Sequence, residues 1–257
     1  MNRIARRFQA LIAPAVMLAA WEAAADAGWL PDYLVAPSKI VVVFWGMIAS
    51  GELWPHLSGS LVRAYGGFAL GLFFGMTMGL LAGVSRAVGN FYDPLISLAY
   101  PVPKIAILPI LMVWFGLGDV SKIAVIMTSV FFPVFINAYA GARAVNRIYI
   151  WSARSMGASS AAVFWRIVIP AAMPHILTGA RNGLALSFIV LFASELVGAK
   201  AGLGYLIGVA EDSGRFDLMY VAIISIGLAG FISDRILIRV RRWLLAGQTL
   251  GRQEFGA

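Results

Sequence analysis

Long apolar runs dominate this sequence and decide what the chain can fold into. A helix that crosses the hydrocarbon core of a bilayer needs about 20 mostly apolar residues, because each residue rises only about 1.5 Å. Backbone polar groups must also be paired within the lipid, which favours helices. Six segments meet this requirement and predict an all-α membrane protein: residues 8–28, 61–84, 91–115, 123–142, 176–198 and 218–238.

The composition excludes several other classes of protein. Of the 257 residues 61% are hydrophobic and 12% are charged, whereas soluble domains have about 25% charged residues. Cysteine is absent and there are only two histidines, so a disulfide framework, a thiolate metal site, a Cys nucleophile and a multi-histidine metal centre are not expected. The 20 Lys and Arg residues do not form one stripe with exposed aromatics, which argues against nucleic acid as a partner.

Positively charged residues predict the orientation, because loops rich in Lys and Arg stay in the cytoplasm. With the N-terminus inside, 13 Lys and Arg residues fall on the cytoplasmic side. The outer side holds five: Lys39, Arg63, Lys122, Lys200 and Arg215. We therefore expect a multi-pass protein of the bacterial inner membrane with both termini cytoplasmic. The first segment also fits a cleavable signal peptide, although its continuation to Trp29 favours a retained helix.

The chain reads as one transmembrane domain over residues 1–257, because no linker, low-complexity tract or fixed repeat divides it. The apolar run 40–49 is too short to span a bilayer and predicts an interfacial or re-entrant helix. Ser38 is the expected start of that helix, after Pro37.

Five glycines in the second predicted span recur at every fourth position. Residues four apart lie on nearly the same face of a helix, so their missing side chains let a neighbouring helix approach closely. The pattern predicts a close-packed surface, here called the glycine seam, that serves either static packing or sliding between helices. The seam consists of Gly67, Gly71, Gly75, Gly79 and Gly83.

The third predicted span cannot be a regular helix, because Pro101, Pro103 and Pro109 interrupt it and each proline removes a backbone donor. Broken helices at membrane depth commonly line substrate routes. Lys104 lies within this break, where it should face a wet cavity, pair with an acid or bind an anion. The alternative is that it snorkels or pairs structurally.

The later predicted spans contain three further polar residues of interest. Arg181 and Glu195 lie near the two ends of the fifth span, where both can snorkel in structural roles. Glu195 is also a candidate for an outer gate or a contact with a binding partner. Asn137 in the fourth span could form hydrogen bonds across helices. Together with Pro103, Lys104 and Pro109, Asn137 and Glu195 are the predicted residues of a translocation path.

The connection 143–173 is long for a loop between two membrane helices. Residues 147–156 contain no Pro or Gly and are followed by Gly157, which predicts a helix with a stop. Ser159 or Ser160 could cap a second short helix that ends at Pro170. The first helix alternates apolar and basic residues, so it should lie on the membrane surface and bind lipid headgroups or a groove on a cytoplasmic partner.

This connection resembles the EAA loop of the membrane permeases of binding-protein-dependent ABC importers. The resemblance rests on Trp151, Ser152, Ala153, Arg154, Ser155, Met156, Gly157, Ile167 and Pro170. Trp151 stands where the family usually has Glu, and Ser152 stands where it usually has Ala. The proline-rich break, the run Trp114 to Gly118 and the run 198–204 are similar to the nitrate, taurine and alkanesulfonate (NitT/TauT-like) subfamily.

The resemblance implies a MetI-like fold and a transport function. Relatives act as homodimers with two cytoplasmic ATPase subunits and a periplasmic or lipid-anchored solute-binding protein. The loop 143–173 would couple the permease to the ATPase through the residues that carry the resemblance. No phosphate-binding loop motif occurs in the sequence, so ATP and Mg²⁺ are expected in the partner ATPase, with no cofactor in this chain. A small anion such as a sulfonate, taurine or nitrate is the expected cargo.

Two other functions remain open from the residues alone. An ion-coupled secondary transporter could use the same spans and Lys104 without an ATPase, although it would not need the amphipathic connection. A membrane enzyme is disfavoured, because Ser159 and Ser160 have no nearby His or Cys in the sequence and no set of acids is clustered for a catalytic metal.

Overall fold

A computed structural model describes the backbone of residues 3–254 and the side chains of residues 12–246. Within that range every regular element is helical. The helices, in chain order, are α1 Arg3–Asp26, α2 Pro37–Ser50, α3 Leu53–Val84, α4 Arg86–Ala99, α5 Leu108–Phe115, α6 Asp119–Arg143, α7 Arg147–Ser155, α8 Ser160–Val163, α9 Ile169–Glu195, α10 Leu203–Asp212 and α11 Phe216–Glu254.

Three long helices form the centre of the bundle, with α6 packed between α3 and α9. Residue numbers rise together along the contact of α3 with α6, from Gly67 near Ile126 to Gly83 near Ala142, so these two helices are parallel. Contacts of α6 with α9 run from Gly141 near His175 to Val130 near Gly183, so α9 is antiparallel to both. We call the end where α3 and α6 begin the upper end, and the opposite end the lower end.

Four of the helices are long and apolar enough to cross a membrane: Leu53–Val84, Asp119–Arg143, Ser160–Glu195 and Phe216–Ala246. A bent pair, Arg86–Ala99 with Lys104–Phe115, makes a fifth when it is counted as one span. The first predicted span, 8–28, coincides with α1, but the side chains of residues 8–11 lie outside the described residues. The side chains of Arg3, Arg6 and Arg7, near the N-terminus, also lie outside the described residues.

The third predicted span is broken, as its prolines indicated. Helices α4 and α5 meet at 89°, and the 3₁₀ turn Lys104–Ile107 lies between them. Each proline removes a backbone donor and disfavours the helical conformation of the residue before it, so a break in this stretch is expected.

Two predicted helix starts were placed too late. The second and fourth spans were predicted from residues 61 and 123, but α3 begins at Leu53 and α6 at Asp119. The two additional segments carry Ser60 and Lys122 into the bundle, and both are almost fully buried, as is Arg63. Arg63 and Lys122, which were counted among the outer loop cations, therefore lie inside the protein.

Two predicted helix limits were also wrong. Helix α2 begins at Pro37 after Ala36, not at Ser38, because proline fits the first turn, where its missing N–H has no helical partner. The second short helix of the connection does not end at Pro170. A π-helical turn, Phe164–Val168, joins α8 to α9, and Pro170 lies in the first turn of α9, where it is tolerated for the same reason.

Candidate functional site

The lower end of the bundle presents a short helix that runs outside the central helices. Helix α7 begins at Asn146, whose side chain accepts a hydrogen bond from the Ile148 N–H. It ends before Gly157, where φ is +84°, a left-handed conformation that favours glycine. Ser159 then caps α8 by accepting a hydrogen bond from the Ala162 N–H. Local capping therefore fixes both the length and the direction of α7.

Helix α7 is anchored at one position and exposed over most of its surface. Ala153 is buried and packs with Ala142, Val145, Val163 and Val168. Ile150 is half-buried against the same residues. Three other large side chains of the helix and that of Met156 just after it are largely exposed: Ile148 60%, Tyr149 63%, Trp151 61% and Met156 81%. Exposed aromatic and aliphatic side chains on a short helix are typical of a contact surface for another macromolecule.

The remaining predicted coupling residues lie beside α7. Ser152 and Arg154 are exposed, as is Pro170, whereas Ile167 is half-buried against the core formed by Ala153 and its neighbours. The π-helical turn at Ile167 connects this region to α9 without a loop. Residues 156–159 separate α7 from α8, and α8 continues through this turn into α9.

A cavity of about 660 Å³ separates α7 from the lower ends of α3, α4 and α6. We call it the basic groove. Four arginines line it, and none of its lining residues is an Asp or Glu. The arginines are Arg86, Arg143, Arg147 and Arg154.

A cluster of charged side chains lies at the upper end, and we call it the upper ion cluster. It consists of Arg63 and Lys122 with Asp119 and Glu195. The Arg63 guanidinium donates to Glu195 Oε1 and, over 2.7 Å, to Asp119 Oδ1. Lys122 Nζ donates to the carbonyl oxygens of Leu117 and Gly118 at 2.8 and 3.3 Å. The cluster joins the beginnings of α3 and α6 to the end of α9.

Glu195 is the most completely enclosed acid of this cluster. Its carboxylate is 1% exposed and accepts hydrogen bonds from Ser60 Oγ at 2.8 Å and from the Gly204 N–H at 2.9 Å. Gly202 has φ +133°, and an added Cβ there would lie 2.5 Å from the Glu195 carboxyl carbon. Glu195 therefore does not snorkel, because buried donors from α3 and α10 satisfy its carboxylate.

Lys104 lies at the break between α4 and α5. Its Nζ donates to the carbonyl oxygens of Ala99, Tyr100 and Val102 at 2.6, 3.1 and 2.8 Å, and lies 4.1 Å from the centre of the Phe132 ring. Carbonyls freed at the end of α4 thus receive a charged donor. Of the alternatives that the sequence left open for Lys104, this geometry is the structural pairing.

The other residues predicted to line a path are dispersed. Pro103 precedes the 3₁₀ turn and Pro109 lies in the first turn of α5, so both shape the break. Asn137 donates to the Pro133 carbonyl of its own helix at 2.8 Å, and its Cβ would meet a Cβ at Gly179 on α9. The structure does not bring Asn137 and Glu195 together, because they lie on different helices at different depths.

The glycine seam lies directly against α6. A Cβ at Gly71 would lie 2.6 Å from the Val130 Cβ and 2.7 Å from the Met127 carbonyl oxygen. The other four glycines of the seam make the same kind of approach, each to a side chain and a carbonyl of α6 one turn further along. Backbone-to-backbone packing of this kind is what small residues at four-residue spacing allow.

Arg181 and Asp234 form an ion pair between α9 and α11, with the Arg181 Nε 2.7 Å from Asp234 Oδ1. The sequence predicted snorkelling for Arg181. The contact was missed because α9 and α11 are 53 residues apart at this point and no periodicity within either helix indicates their pairing.

Comparison with known proteins identifies the class of molecule. Residues 71–245 match the family described as binding-protein-dependent transport system inner membrane component. The chain belongs to this family. It is therefore a membrane-embedded permease subunit of an ABC importer, and the predicted membership and non-enzymatic function are confirmed.

Named relatives of this permease cover most of its length. It is 35% identical to the taurine transport system permease protein TauC of Escherichia coli over 90% of this chain and 86% of that protein. It is also 35% identical to the aliphatic sulfonates transport permease protein SsuC of Bacillus subtilis, over 91% of this chain and 86% of that protein.

A solved structure confirms the MetI-like fold. The chain superposes on a subunit of the inward-facing MetNI methionine ABC transporter with a TM-score of 0.64 and 17% identity, over 75% of this chain and 95% of that one. At this identity the likeness concerns the fold alone.

Proposed function

We propose that this permease imports a small organic sulfonate, such as taurine or an alkanesulfonate. The observation that carries the proposal is the 35% identity to permeases named for taurine and for aliphatic sulfonates, over about nine tenths of the chain. The sulfonate group is a compact monoanion, so the solute-binding protein that delivers it would supply most of the selectivity. Nitrate is the other anion suggested by the sequence resemblance.

We further propose that residues 1–257 form one transmembrane domain that acts as a homodimer. Two cytoplasmic ATPase subunits would bind ATP and Mg²⁺, and a periplasmic or lipid-anchored solute-binding protein would dock at the upper end. The lower end would face the cytoplasm, together with both termini. The excess of arginines at the lower end supports this orientation, because the basic groove alone holds four of them.

In this proposal the connection 143–173 couples the permease to the ATPase. Helix α7 and its continuation present Trp151, Ser152, Arg154, Met156 and Gly157, while Ala153 holds the helix on the core. Movement of α7 would pass through Ile167 and Pro170 into α9. The upper end of α9 carries Glu195, so the same displacement would act on the upper ion cluster as an outer gate.

The translocation path would pass the broken helix at Pro103, Lys104 and Pro109, with Asn137 on the facing helix. The break supports this role, because irregular backbone at membrane depth is tolerated where it is buried in protein or lines a cavity. The glycine seam would let α3 and α6 remain in contact while the surrounding helices move.

The direct test of the cargo is ATPase stimulation in proteoliposomes that hold the permease, its ATPase and its solute-binding protein. Taurine, an alkanesulfonate, nitrate and sulfate would be added singly. We expect a sulfonate to give the largest stimulation. Stimulation by nitrate alone, or by none of the four, would contradict the sulfonate proposal.

A substitution at Gly157, where α7 stops, tests the coupling role. Gly157→Val places a β-branched side chain at φ +84°, where such residues are strained. No atom lies within 4 Å of the position of its Cβ, so the change acts on the direction of α7 and not on packing. We expect loss of ATPase association or of transport with normal membrane insertion. Wild-type transport by this variant would contradict coupling through α7, and Gly46→Val, also open around the Cβ, is the matched control.

A further inference from the structure

No ion pair joins an arginine of the basic groove to a carboxylate among the described side chains. Arg86, Arg147 and Arg154 form no ion pair within residues 12–246. Arg143 donates to the Tyr139 hydroxyl at 2.7 Å, and that hydroxyl donates to Asp93 at 3.1 Å. Asp93 does not line the groove, so one carboxylate reaches one of the four arginines, and only through a tyrosine.

The helix ends that meet here do not supply the missing negative charge in full. The carbonyl ends of α3 and α6 point toward the groove and carry partial negative charge, but each amounts to only about half an elementary charge. Four guanidinium groups around about 660 Å³ thus keep a strong positive potential, which a low-dielectric wall strengthens. An arrangement of this kind is stabilised when an anion occupies it.

Trp151 adds no negative charge to the lining of the basic groove. Trp151 stands where the EAA loop usually has Glu, and it lines the groove beside Arg147 and Arg154. A carboxylate at this position would lie among the arginines, whereas the indole adds an apolar wall. Trp151 therefore gives the groove an apolar surface that a ligand can contact and no negative charge.

The shape and lining of the groove favour a phosphate group. Guanidinium groups present planar pairs of N–H donors that match the oxygens of phosphate. Asn90 and Ser160 add uncharged hydrogen-bonding groups, and Val163, Phe164 and Trp151 form an apolar side. Basic pockets between helices at a membrane surface bind the head groups of anionic lipids in this way.

We propose that the basic groove is a binding site for a phosphate-bearing anion, supplied either by the head group of an anionic phospholipid or by free phosphate. The site uses the face of α7 that carries Arg147, Ile150, Trp151 and Arg154. Trp151 and Arg154 would contribute to both this site and the ATPase contact, whereas Ser152 and Met156 do not line the groove and would serve the ATPase contact alone. The proposal stands on the groove alone and does not depend on the identity of the cargo.

The absence of cysteine makes the test selective, since one introduced thiol is the only one in the chain. The full-length Asn90→Cys variant would be placed in nanodiscs of neutral phosphatidylcholine, and its alkylation rate by uncharged iodoacetamide measured. One arm adds inorganic phosphate at constant ionic strength. The other replaces part of the lipid by phosphatidylglycerol with no phosphate in the buffer. If the Asn90→Cys variant does not insert into the membrane, Ser160→Cys, which also lines the groove, replaces it.

We expect alkylation at position 90 to slow about fivefold or more in at least one arm, since a ligand at about four times its Kd reduces the unoccupied fraction of its site by that factor. Slowing by phosphatidylglycerol identifies a lipid head group, and slowing by phosphate identifies the free ion. Absence of slowing in both arms overturns the proposal. Ser152→Cys lies off the groove and should keep its rate, and equal slowing there would also overturn it.

Charge variants separate a defined site from general attraction to a basic surface. In the Asn90→Cys background, Arg86→Gln with Arg147→Gln should abolish the protection. Arg239→Gln with Arg242→Gln removes the same charge from the exposed end of α11 and should preserve it. Equal loss in both pairs overturns the proposal, as does protection that appears only when the ATPase subunit is added, which would make the groove a protein-docking site.

Discussion

The upper and lower ends of the bundle satisfy their charged side chains in opposite ways. At the upper end, Arg63 and Glu195 are both buried and directly paired. Arg63 also donates to the Ala201 carbonyl, and Glu195 accepts from the Gly204 N–H at the start of α10. At the lower end, four arginines line an open groove without a carboxylate. The buried charges of the upper end have partners within this chain, whereas the proposed anion would supply the counterion at the lower end.

This difference has an energetic consequence. A buried charge that loses its partner is strongly destabilising, because it remains desolvated without compensation. An exposed charge keeps its water and loses little when a neighbour is removed. Substitutions at the upper end should therefore change folding stability, and those at the lower end should change binding.

Glu195→Ala should have the largest effect. Removal of the carboxylate leaves the Arg63 guanidinium and the Ser60 and Gly204 donors in a closed site, and loss of one partner of a buried ion pair costs about 3–5 kcal/mol. This loss of stability is measured as the change in the free energy of unfolding in lipid–detergent micelles. Asp119→Ala is the matched control, because the Asp119 side chain is 60% exposed and should lose far less. Similar losses for the two would contradict a buried cluster.

Gly202→Ala should destabilise the same cluster by a different route. Its φ of +133° lies in a region that is almost restricted to glycine, and a strained residue there costs about 1–3 kcal/mol. The added Cβ would also lie 2.5 Å from the Glu195 carboxyl carbon. Gly214→Ala also has a positive φ but an open surrounding. A greater loss at 202 than at 214, in the same unfolding measurement, isolates the contact with Glu195.

Gly71→Ala tests the seam that connects the two ends. The new methyl would overlap Val130 and the Met127 carbonyl, and overpacking of this kind costs about 1–3 kcal/mol. Gly66→Ala on the same helix meets only the tip of Ile123, at 3.6 Å. It should be neutral or slightly stabilising, because alanine favours a helix. Equal stability of the two variants would show that α3 and α6 separate readily.

Arg86→Gln with Arg147→Gln should have the smallest effect on stability. Both side chains are exposed and unpaired within the described residues, and surface changes of this kind stay within about 0.5 kcal/mol. The measurement is unfolding in neutral detergent without phosphate. A loss as large as that of Glu195→Ala would mean that the groove is held together internally, and the contrast between the two ends would disappear.

Much of the architecture could be predicted from local sequence. Three of these features depend on residues that lie close together in the chain, so local sequence predicts them. They are the end of the helix before Gly157, the cap at Ser159 and the break around Pro103. The four-residue spacing of the seam indicated a close helix contact without naming the neighbour. The starts of α3 and α6 were predicted too late because Arg63 and Lys122 resemble loop charges when their partners are unknown.

The sequence by itself determined that the chain is an apolar, all-helical membrane protein with an amphipathic connection, because apolar length, proline and glycine act within a few residues. The permease function was indicated by the resemblance of that connection to the EAA loop. Only the tertiary structure decided that Glu195 meets Arg63, 132 residues away, that Lys104 closes a helix end, and that four arginines share one groove. These outcomes depend on which helices are neighbours. Hydrogen bonds and charges act over a few ångströms, and the number of residues between two side chains does not give the distance between them in the folded protein.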